Sequence, residues 1–336
     1  MESTKDSTFS QIKVQGSSIE NTPEYKEYRR QWVENPRDHV LNDFPIHLDL
    51  EINPHCNLRC VMCFQSFAPL KSGYMTEELF KKVIDEGAAN GLKSIKLQYR
   101  GEPLLHPMVT KFVDYAKKKG VIEVMFNTNA NLLSEKIARE LIEAKMDKII
   151  CSIDGYTADV YEKVRINGKF DKVLGNLKRL KELKEEYGVD YPIIRVQMVR
   201  LPHLTDEYVK NYVDFWTKIA DYVGVEEFND WESEMSGKLS EDESICKEFC
   251  CTQPWQRLFV MWDGTIILCC GDHNLSMPLG NANTDSLKDI WLSPRVQAIR
   301  DLHIKGDSHK LPICNVCSGR RTIIRLGKMD CSTNKK

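Results

Sequence analysis

"INPHCNLRCVMCFQ", residues 52–65, sets Cys56, Cys60 and Cys63 within fourteen residues in a C-x3-C-x2-C pattern. It directly follows "IHLDLEI" (46–52), a β-rich run. Structural zinc takes four ligands, usually from paired C-x2-C or C/H units. Three clustered thiols with no fourth ligand nearby depart from that pattern, and His55, beside Cys56, is badly placed to complete a tetrahedron. A cubane iron–sulfur cluster bound by three cysteines fits better. It leaves one iron open to a further ligand, by the logic that separates open catalytic metal sites from closed structural ones.

Outward from this stretch, short β-rich runs alternate with amphipathic ones. The further strands are "SIKLQY" (94–99), "IEVMFNT" (122–128), "KIICSID" (148–154), "IIRVQMV" (193–199) and "VGVEEF" (223–228). Residues 77–89 put Leu79, Phe80, Val83, Ile84 and Ala88 on one helical face, with Thr76 as N-cap and Glu77 and Glu78 in the first turn. Further helices are expected near 108–119, 134–146, 171–187 and 205–222. Such alternation indicates parallel βαβ units with right-handed crossovers. An open six-unit barrel and a doubly wound sheet both satisfy it, and both carry ligands at the C-terminal strand ends. The three-cysteine stretch lies at that end of the first strand.

The chain has 336 residues, 42% hydrophobic and 29% charged, with formal net charge −2. No global basic excess suggests a nucleic-acid partner. No run approaches the ~18 apolar residues of a membrane span. The start, "MESTKDSTFSQIKVQGSS", reads as neither signal nor transit peptide, so a cytoplasmic protein is expected, with residues 1–22 a disordered tail. Twelve cysteines in so long a chain without an export signal point to metal or redox chemistry rather than a disulfide scaffold. A core with an N-terminal helix is expected over 23–229, an acidic, Ser-rich linker over 230–245, a cysteine-rich module over 246–320 and a basic tail over 321–336.

The C-x3-C-x2-C after a first strand resembles the radical S-adenosylmethionine (radical SAM) family. The resemblance implies a partial (β/α)6 TIM-like barrel, a [4Fe–4S] cluster on Cys56, Cys60 and Cys63, and SAM chelated at the open iron. In that family the reduced cluster cleaves SAM to methionine and a 5′-deoxyadenosyl radical, which abstracts hydrogen from substrate. "RGEPLLHP" (100–107) resembles the family's Gly-Gly-Glu-Pro segment, with Arg100 in place of the first glycine and Gly101 and Glu102 matching. "FNTNA" (126–130) brings Asn127 and Asn129 to the end of strand three, and "CSIDGYTADVYEKVR" (151–165) brings Ser152, Asp154 and Arg165 to strand four. Gln197 on strand five points to the same region. Where the family often has an aromatic residue against adenine, this chain has Met62, with Phe64 just beyond.

The second cysteine set lies in "CCTQPWQRLFVMWDGTIILCCGDHN" (250–274) and "PICNVC" (312–317). Asp263-Gly264 is a hairpin signal that brings Cys251 near Cys269 or Cys270, while Cys314 and Cys317 form a C-x2-C knuckle. Spacing alone leaves zinc and [4Fe–4S] open. The order resembles the auxiliary-cluster module called SPASM, or Twitch when shortened, as in a radical SAM dehydrogenase of aminoglycoside biosynthesis. That resemblance implies one auxiliary [4Fe–4S] cluster on Cys251, Cys269, Cys314 and Cys317 in a small α+β module.

The implied reaction is dehydrogenation of a small polar molecule such as a sugar, sugar nucleotide or cyclitol, with the auxiliary cluster as electron acceptor. Epimerization is the rival, with a hydrogen atom returned by Cys246, Cys250 or Cys270; peptide modification comes third, and a non-enzymatic zinc or electron-transfer module stands outside the family. Asp230, Trp231, Glu232, Trp255 and Arg257 are candidate pocket residues. A flavodoxin- or ferredoxin-type electron donor is implied.

Overall fold

The computed structural model describes residues 2–5, 9–66, 71–228, 251–317 and 319–320. Strands β1 (Glu2–Lys5) and β2 (Phe9–Lys13) and helix α1 (Pro23–Arg37) come first. β3 (His47–Leu50) leads into the three-cysteine loop, which contains the short β4 (Arg59–Cys60). There follow α2 (Glu77–Ala89), β5 (Ser94–Lys96), α3 (Val109–Lys118), β6 (Glu123–Thr128), α4 (Glu135–Glu143) and β7 (Lys148–Ser152). Then come α5 (Ala158–Val164), β8 (Arg165–Ile166), α6 (Phe170–Tyr187), β9 (Ile193–Arg200), α7 (Asp206–Trp216) and β10 (Tyr222–Glu227). The C-terminal part contributes β11 (Arg257–Val260), β12 (Thr265–Ile267) and β13 (Gly280–Asn281), with helices Leu287–Trp291, Pro294–Ile304 and Pro312–Asn315.

Strands β3, β5, β6, β7, β9 and β10 are neighbours in that order and all parallel. β11 adds in parallel to β3, and β12 and β13 continue antiparallel, so among the described residues one sheet of eleven strands carries both parts of the chain. β4 pairs with β8 across the mouth, joining the cysteine loop to Arg165. Among the described residues the sheet does not close on itself: the fold is a partial TIM-like barrel with a small cysteine-rich appendage, not a doubly wound sheet.

Each parallel strand has two unlike faces. Outward residues such as Leu48, Ile95, Val124, Phe126, Ile149 and Val196 join the helices in one core. Inward residues such as His47, Lys96, Glu123, Lys148, Arg195 and Gln197 line a polar lumen. Period-two alternation of this kind gives a curved parallel sheet one apolar and one polar surface. The helices start where their caps dictate: Thr76, Ser134 and Thr205 each accept a backbone N–H from the third residue on. α1 closes the floor, with Tyr28 accepting from Ser94 Oγ (2.9 Å) and Tyr25 donating to Glu123 (3.2 Å).

Two expectations are corrected. The described residues of the first 22 are not a disordered tail: β2 pairs antiparallel with β10, from Tyr222↔Lys13 to Glu226↔Phe9, and β1 pairs with β2. The open edge of β10 supplies a free row of backbone donors and acceptors, which a short polar segment satisfies without a hydrophobic signature. The helix expected over 205–222 stops at Trp216, because Tyr222 already belongs to the next strand. The Asp263-Gly264 hairpin forms as read, with Gly264 at φ +88° between β11 and β12. Among the described residues, no helix is long and apolar enough to cross a membrane. The linker 230–245 lies outside the described residues.

Phe80 of α2 is fully buried and stacks on Phe112 of α3 at 4.0 Å, so helix-on-helix packing outweighs capping here. Phe80→Ala is expected to destabilise by about 3–5 kcal/mol and Thr76→Ala by about 1 kcal/mol in equilibrium denaturation. A Phe80→Ala cost no larger than that of the cap would contradict this ordering.

Candidate active site

Two pockets hold the two cysteine clusters. The larger, about 410 Å³, lies at the C-terminal ends of the parallel strands and is lined by Cys56, Cys60 and Cys63. Of the ten residues expected around SAM, nine line it: Met62, Phe64, Gly101, Glu102, Asn127, Asn129, Ser152, Arg165 and Gln197. The tenth, Asp154, sits behind the wall at 1% exposure, where its carboxylate holds Arg165 Nε (2.5 Å) and accepts from Val199 N (2.7 Å). Although burial opposes it, Asp154 and the Cys60 sulfur raise Arg165 further, so the guanidinium stays charged.

The loops that form this pocket are tied to each other through their backbones. Glu102 N donates to His55 O (2.7 Å), and Asn53 Nδ2 donates to Glu102 O (3.1 Å). A side-chain carbon at Gly101 would overlap the Asn53 carbonyl and press on that of His55, which is why the turn takes glycine there. The Glu102 carboxylate accepts from Leu104 N (3.1 Å), Thr128 Oγ1 (2.6 Å) and Asn129 N (2.8 Å). Burial pushes this carboxyl up to about 7 against those three bonds. Glu102 therefore organises the site from within.

The three thiols suit a cationic group. Burial pushes Cys56 up to about 11 and raises Cys60 and Cys63, so positive charge is needed to hold them as thiolates. Donors already aim at the sulfurs: Leu58 N (3.5 Å) and Asn129 Nδ2 (4.0 Å) at Cys56, and Arg165 Nη1 (3.6 Å) at Cys60. Hydrogen bonds to ligating sulfurs are a regular feature of iron–sulfur sites. Among the described residues, no three His, Cys, Asp or Glu side chains converge on a point fit for a single ion. His55 is turned away, its ring against Tyr74 at 5.0 Å.

The second pocket, about 160 Å³, brings together Cys251, Cys269, Cys314 and Cys317. Cys251 and Cys269 are pushed well above the ordinary thiol range, by burial first and neighbouring thiols second; burial takes Cys314 to about 11. A side-chain carbon at Gly271 would lie 3.6 Å from Cys269 Sγ and 4.0 Å from Cys317 Sγ, so the glycine leaves room beside both. Arg320 N donates to Cys317 Sγ (3.4 Å), and His303, its imidazole lowered by burial to about 4, lies 3.8 Å from Cys314 Sγ.

Cys270 turns the other way. It is exposed, its sulfur accepts from Gln253 Nε2 (3.0 Å), and it lines both pockets. Cys246 and Cys250, with Asp230, Trp231 and Glu232, lie outside the described residues. Trp255 is a core residue at 1% exposure, packed against His39 at 5.0 Å, and not a pocket residue. Arg257 lines the lumen below and pairs with Asp49 (3.1 Å). Reading the sequence missed Lys96, Gln98, Tyr99, Glu226 and His273 in the pocket wall. For Lys96, Gln98 and Glu226 the signal was present, as polar residues at the inward positions near strand ends. His273 was not legible, because it arrives from the C-terminal part to stack on Phe64 at 5.2 Å.

Comparison with known proteins agrees with this geometry. Residues 50–215 match the Radical SAM superfamily model and residues 250–318 the SPASM iron–sulfur cluster-binding domain. The chain is 25% identical over 335 residues to the tungsten-containing aldehyde ferredoxin oxidoreductase cofactor-modifying protein of Pyrococcus furiosus, covering 86% of this chain and 92% of that one. It is 32% identical over 142 residues to the mycofactocin maturase MftC of Mycobacterium tuberculosis, spanning 41% of this chain and 35% of the maturase. Its fold is shared with BtrN in complex with AdoMet and 2-DOIA (TM-score 0.56, 18% identity, 82% of this chain and 93% of that one). It is shared also with Streptococcus suis SuiB bound to S-adenosylmethionine (TM-score 0.62, 16% identity, 88% and 77%). With three thiols at the strand ends of a partial barrel and four more in the appended module, the chain belongs to the radical SAM superfamily and carries an auxiliary iron–sulfur cluster-binding domain.

Proposed function

We propose that this radical SAM enzyme oxidises an alcohol carbon of a small polar molecule. One observation carries the reading: Cys270 lines both pockets and its carbonyl accepts from Tyr99 Oη (3.1 Å), so the two cysteine sites adjoin. In this reading Cys56, Cys60 and Cys63 ligate the SAM-binding cluster and Cys251, Cys269, Cys314 and Cys317 the auxiliary one. Bound there, the first cluster would supply the electron that cleaves SAM to methionine and a 5′-deoxyadenosyl radical, and the second a one-electron acceptor close to the substrate.

The chain's own residues do the rest. Asn129 and Arg165 donate toward the cluster sulfurs, and Arg165 is kept in place by Asp154. Asn127, Ser152 and Gln197 line the pocket and would present polar groups to ribose and substrate, while Met62 and Phe64 would cover the adenine. Glu102 is occupied by three donors, which leaves Glu226 as the carboxylate facing the pocket. Burial raises its carboxyl above the ordinary value, which suits a base that takes the substrate's hydroxyl proton near neutral pH. An external donor of flavodoxin or ferredoxin type would reduce the SAM-binding cluster. Full-length similarity to a cofactor-modifying protein favours a small-molecule substrate over a peptide.

Epimerization is the second reading, and the exposure of Cys270 to the cofactor pocket favours it, since that thiol is available as a hydrogen-atom donor.

Anaerobically reconstituted protein is expected to hold about eight irons, falling to about four in the Cys56/Cys60/Cys63 triple Ala variant; four irons with one zinc in the wild type would sink the electron-acceptor reading. Cys60→Ala is expected to abolish reductive SAM cleavage, read as 5′-deoxyadenosine, and retained cleavage would refute the ligand assignment. Cys314→Ala is expected to leave SAM cleavage detectable while product formation stops; unchanged product would transfer the proposal to epimerization, with Cys270→Ala as its test.

A further inference from the structure

The auxiliary pocket is nearly without charge. Apolar side chains, Leu268, Met277, Leu279 and Ile299 among them, make up much of the wall around its four thiols. Of the described residues lining it, Arg320 is the one cation and Asp272 the one carboxylate. Asp272 is occupied by a turn, accepting from Ser276 N (2.7 Å), Ser276 Oγ (2.6 Å) and Met277 N (2.9 Å). Arg320 is buried at 2% exposure, and its backbone N–H on Cys317 Sγ (3.4 Å) ties it to one of the four thiols.

His303 is the other polar group at this corner. It lies on the helix Pro294–Ile304, buried, with Nε2 3.8 Å from Cys314 Sγ. Trp255 stands edge to face against the imidazole (6.4 Å, 80°). Nδ1 has no hydrogen-bond partner among the described residues. A neutral imidazole carries one N–H. Placed on Nδ1, it would be a buried donor without an acceptor, and a lone pair would face the sulfur. Placed on Nε2, it points at the sulfur, so that tautomer is favoured. Burial raises Cys314 and lowers His303; the Arg320 charge, second in each case, favours the thiolate and keeps the imidazole neutral.

A cubane on four thiolates is negative and becomes more so on reduction. In an enclosed apolar pocket that added charge is costly, which lowers the potential. A buried cation, and an N–H aimed at a ligating sulfur, stabilise the reduced form more than the oxidised one. We propose that Arg320 and His303 raise the reduction potential of the auxiliary cluster and so fit it to take one electron from the substrate radical. This rests on the preceding reading, in which Cys251, Cys269, Cys314 and Cys317 hold that cluster. The balance closes: the substrate's hydrogen atom goes to the 5′-deoxyadenosyl radical, its hydroxyl proton to Glu226 and one electron to the cluster, leaving a carbonyl. Neither Arg320 nor His303 touches substrate, so both are positioning residues.

The test is a redox titration of reconstituted full-length protein followed by EPR, with the Cys56/Cys60/Cys63 triple Ala variant assigning the auxiliary signal. Arg320→Met and His303→Leu are each expected to disfavour reduction about ten-fold, a potential lower by about 59 mV for a one-electron couple. Arg320→Lys and His303→Gln, which keep the charge and the donor, are expected to stay within about three-fold of wild type. A merely structural role would cost iron without moving the potential of the cluster that remains. Unshifted potentials at wild-type iron content, equal shifts in the conservative variants, or loss of the cluster from both Arg320→Met and His303→Leu overturn the proposal. If one of those two alone loses the cluster, the other decides. Zinc in this site, found by metal analysis, refutes the ligand reading and this inference with it. The expected shifts in a protein that oxidises no alcohol would refute the dehydrogenase reading and leave the tuning standing.

Discussion

Glu102 is bonded to three successive strand-end loops at once. Its backbone N–H and carbonyl engage the cysteine loop after β3, and its carboxylate gathers Thr128 and Asn129 at the end of β6. A buried carboxyl pushed to about 7 tolerates that position because three donors converge on it. The glycine before it lets the two loops touch backbone to backbone. Asn129, set by the same carboxylate, then reaches Asn57 (2.8 Å) and the Cys56 sulfur. The placement of Cys56 thus follows from one side chain and the turn that carries it, while Cys60 is held by the β4–β8 pairing and Arg165.

A second joint couples barrel and module. Arg100 stands where the resembling motif has glycine, and its guanidinium grips Glu51 through Nε (2.5 Å) and Nη2 (2.7 Å) while donating to His273 O (3.0 Å). A buried pair of this kind adds little net stability but specifies register, because either partner alone would be an uncompensated charge. Together with Tyr99 on Cys270 and Phe64 on His273, it sets the auxiliary thiols beside the cofactor pocket. The continuous sheet from β3 into β11 gives the joint a rigid base.

Much of this was legible in residue order. The strand set, the α2 cap at Thr76, the hairpin at Asp263-Gly264 and the cysteine groups are local features, carried by period, capping chemistry and spacing. The expected SAM residues converge because the C-terminal ends of parallel strands lie side by side in any such barrel, so a motif at each strand end is enough to assemble a pocket. The N-terminal hairpin was not legible, because an edge strand needs backbone partners rather than an apolar pattern. Trp255 was misread for a related reason: an aromatic residue beside polar ones has no local mark that tells core from pocket.

The chain's order of residues determined which elements form, which face of each strand is polar, and which thiols are available. Tertiary structure alone decided that Cys269 faces the other thiols of its pocket while Cys270 opens onto the cofactor site, that Asp154 acts through Arg165, and that the inward charges of separate strands share one lumen. The division is physical. Periodicity and capping act over a few residues along the chain. Burial, electrostatic compensation and the meeting of two cavities depend on groups more than a hundred residues apart, brought together only when the sheet curves.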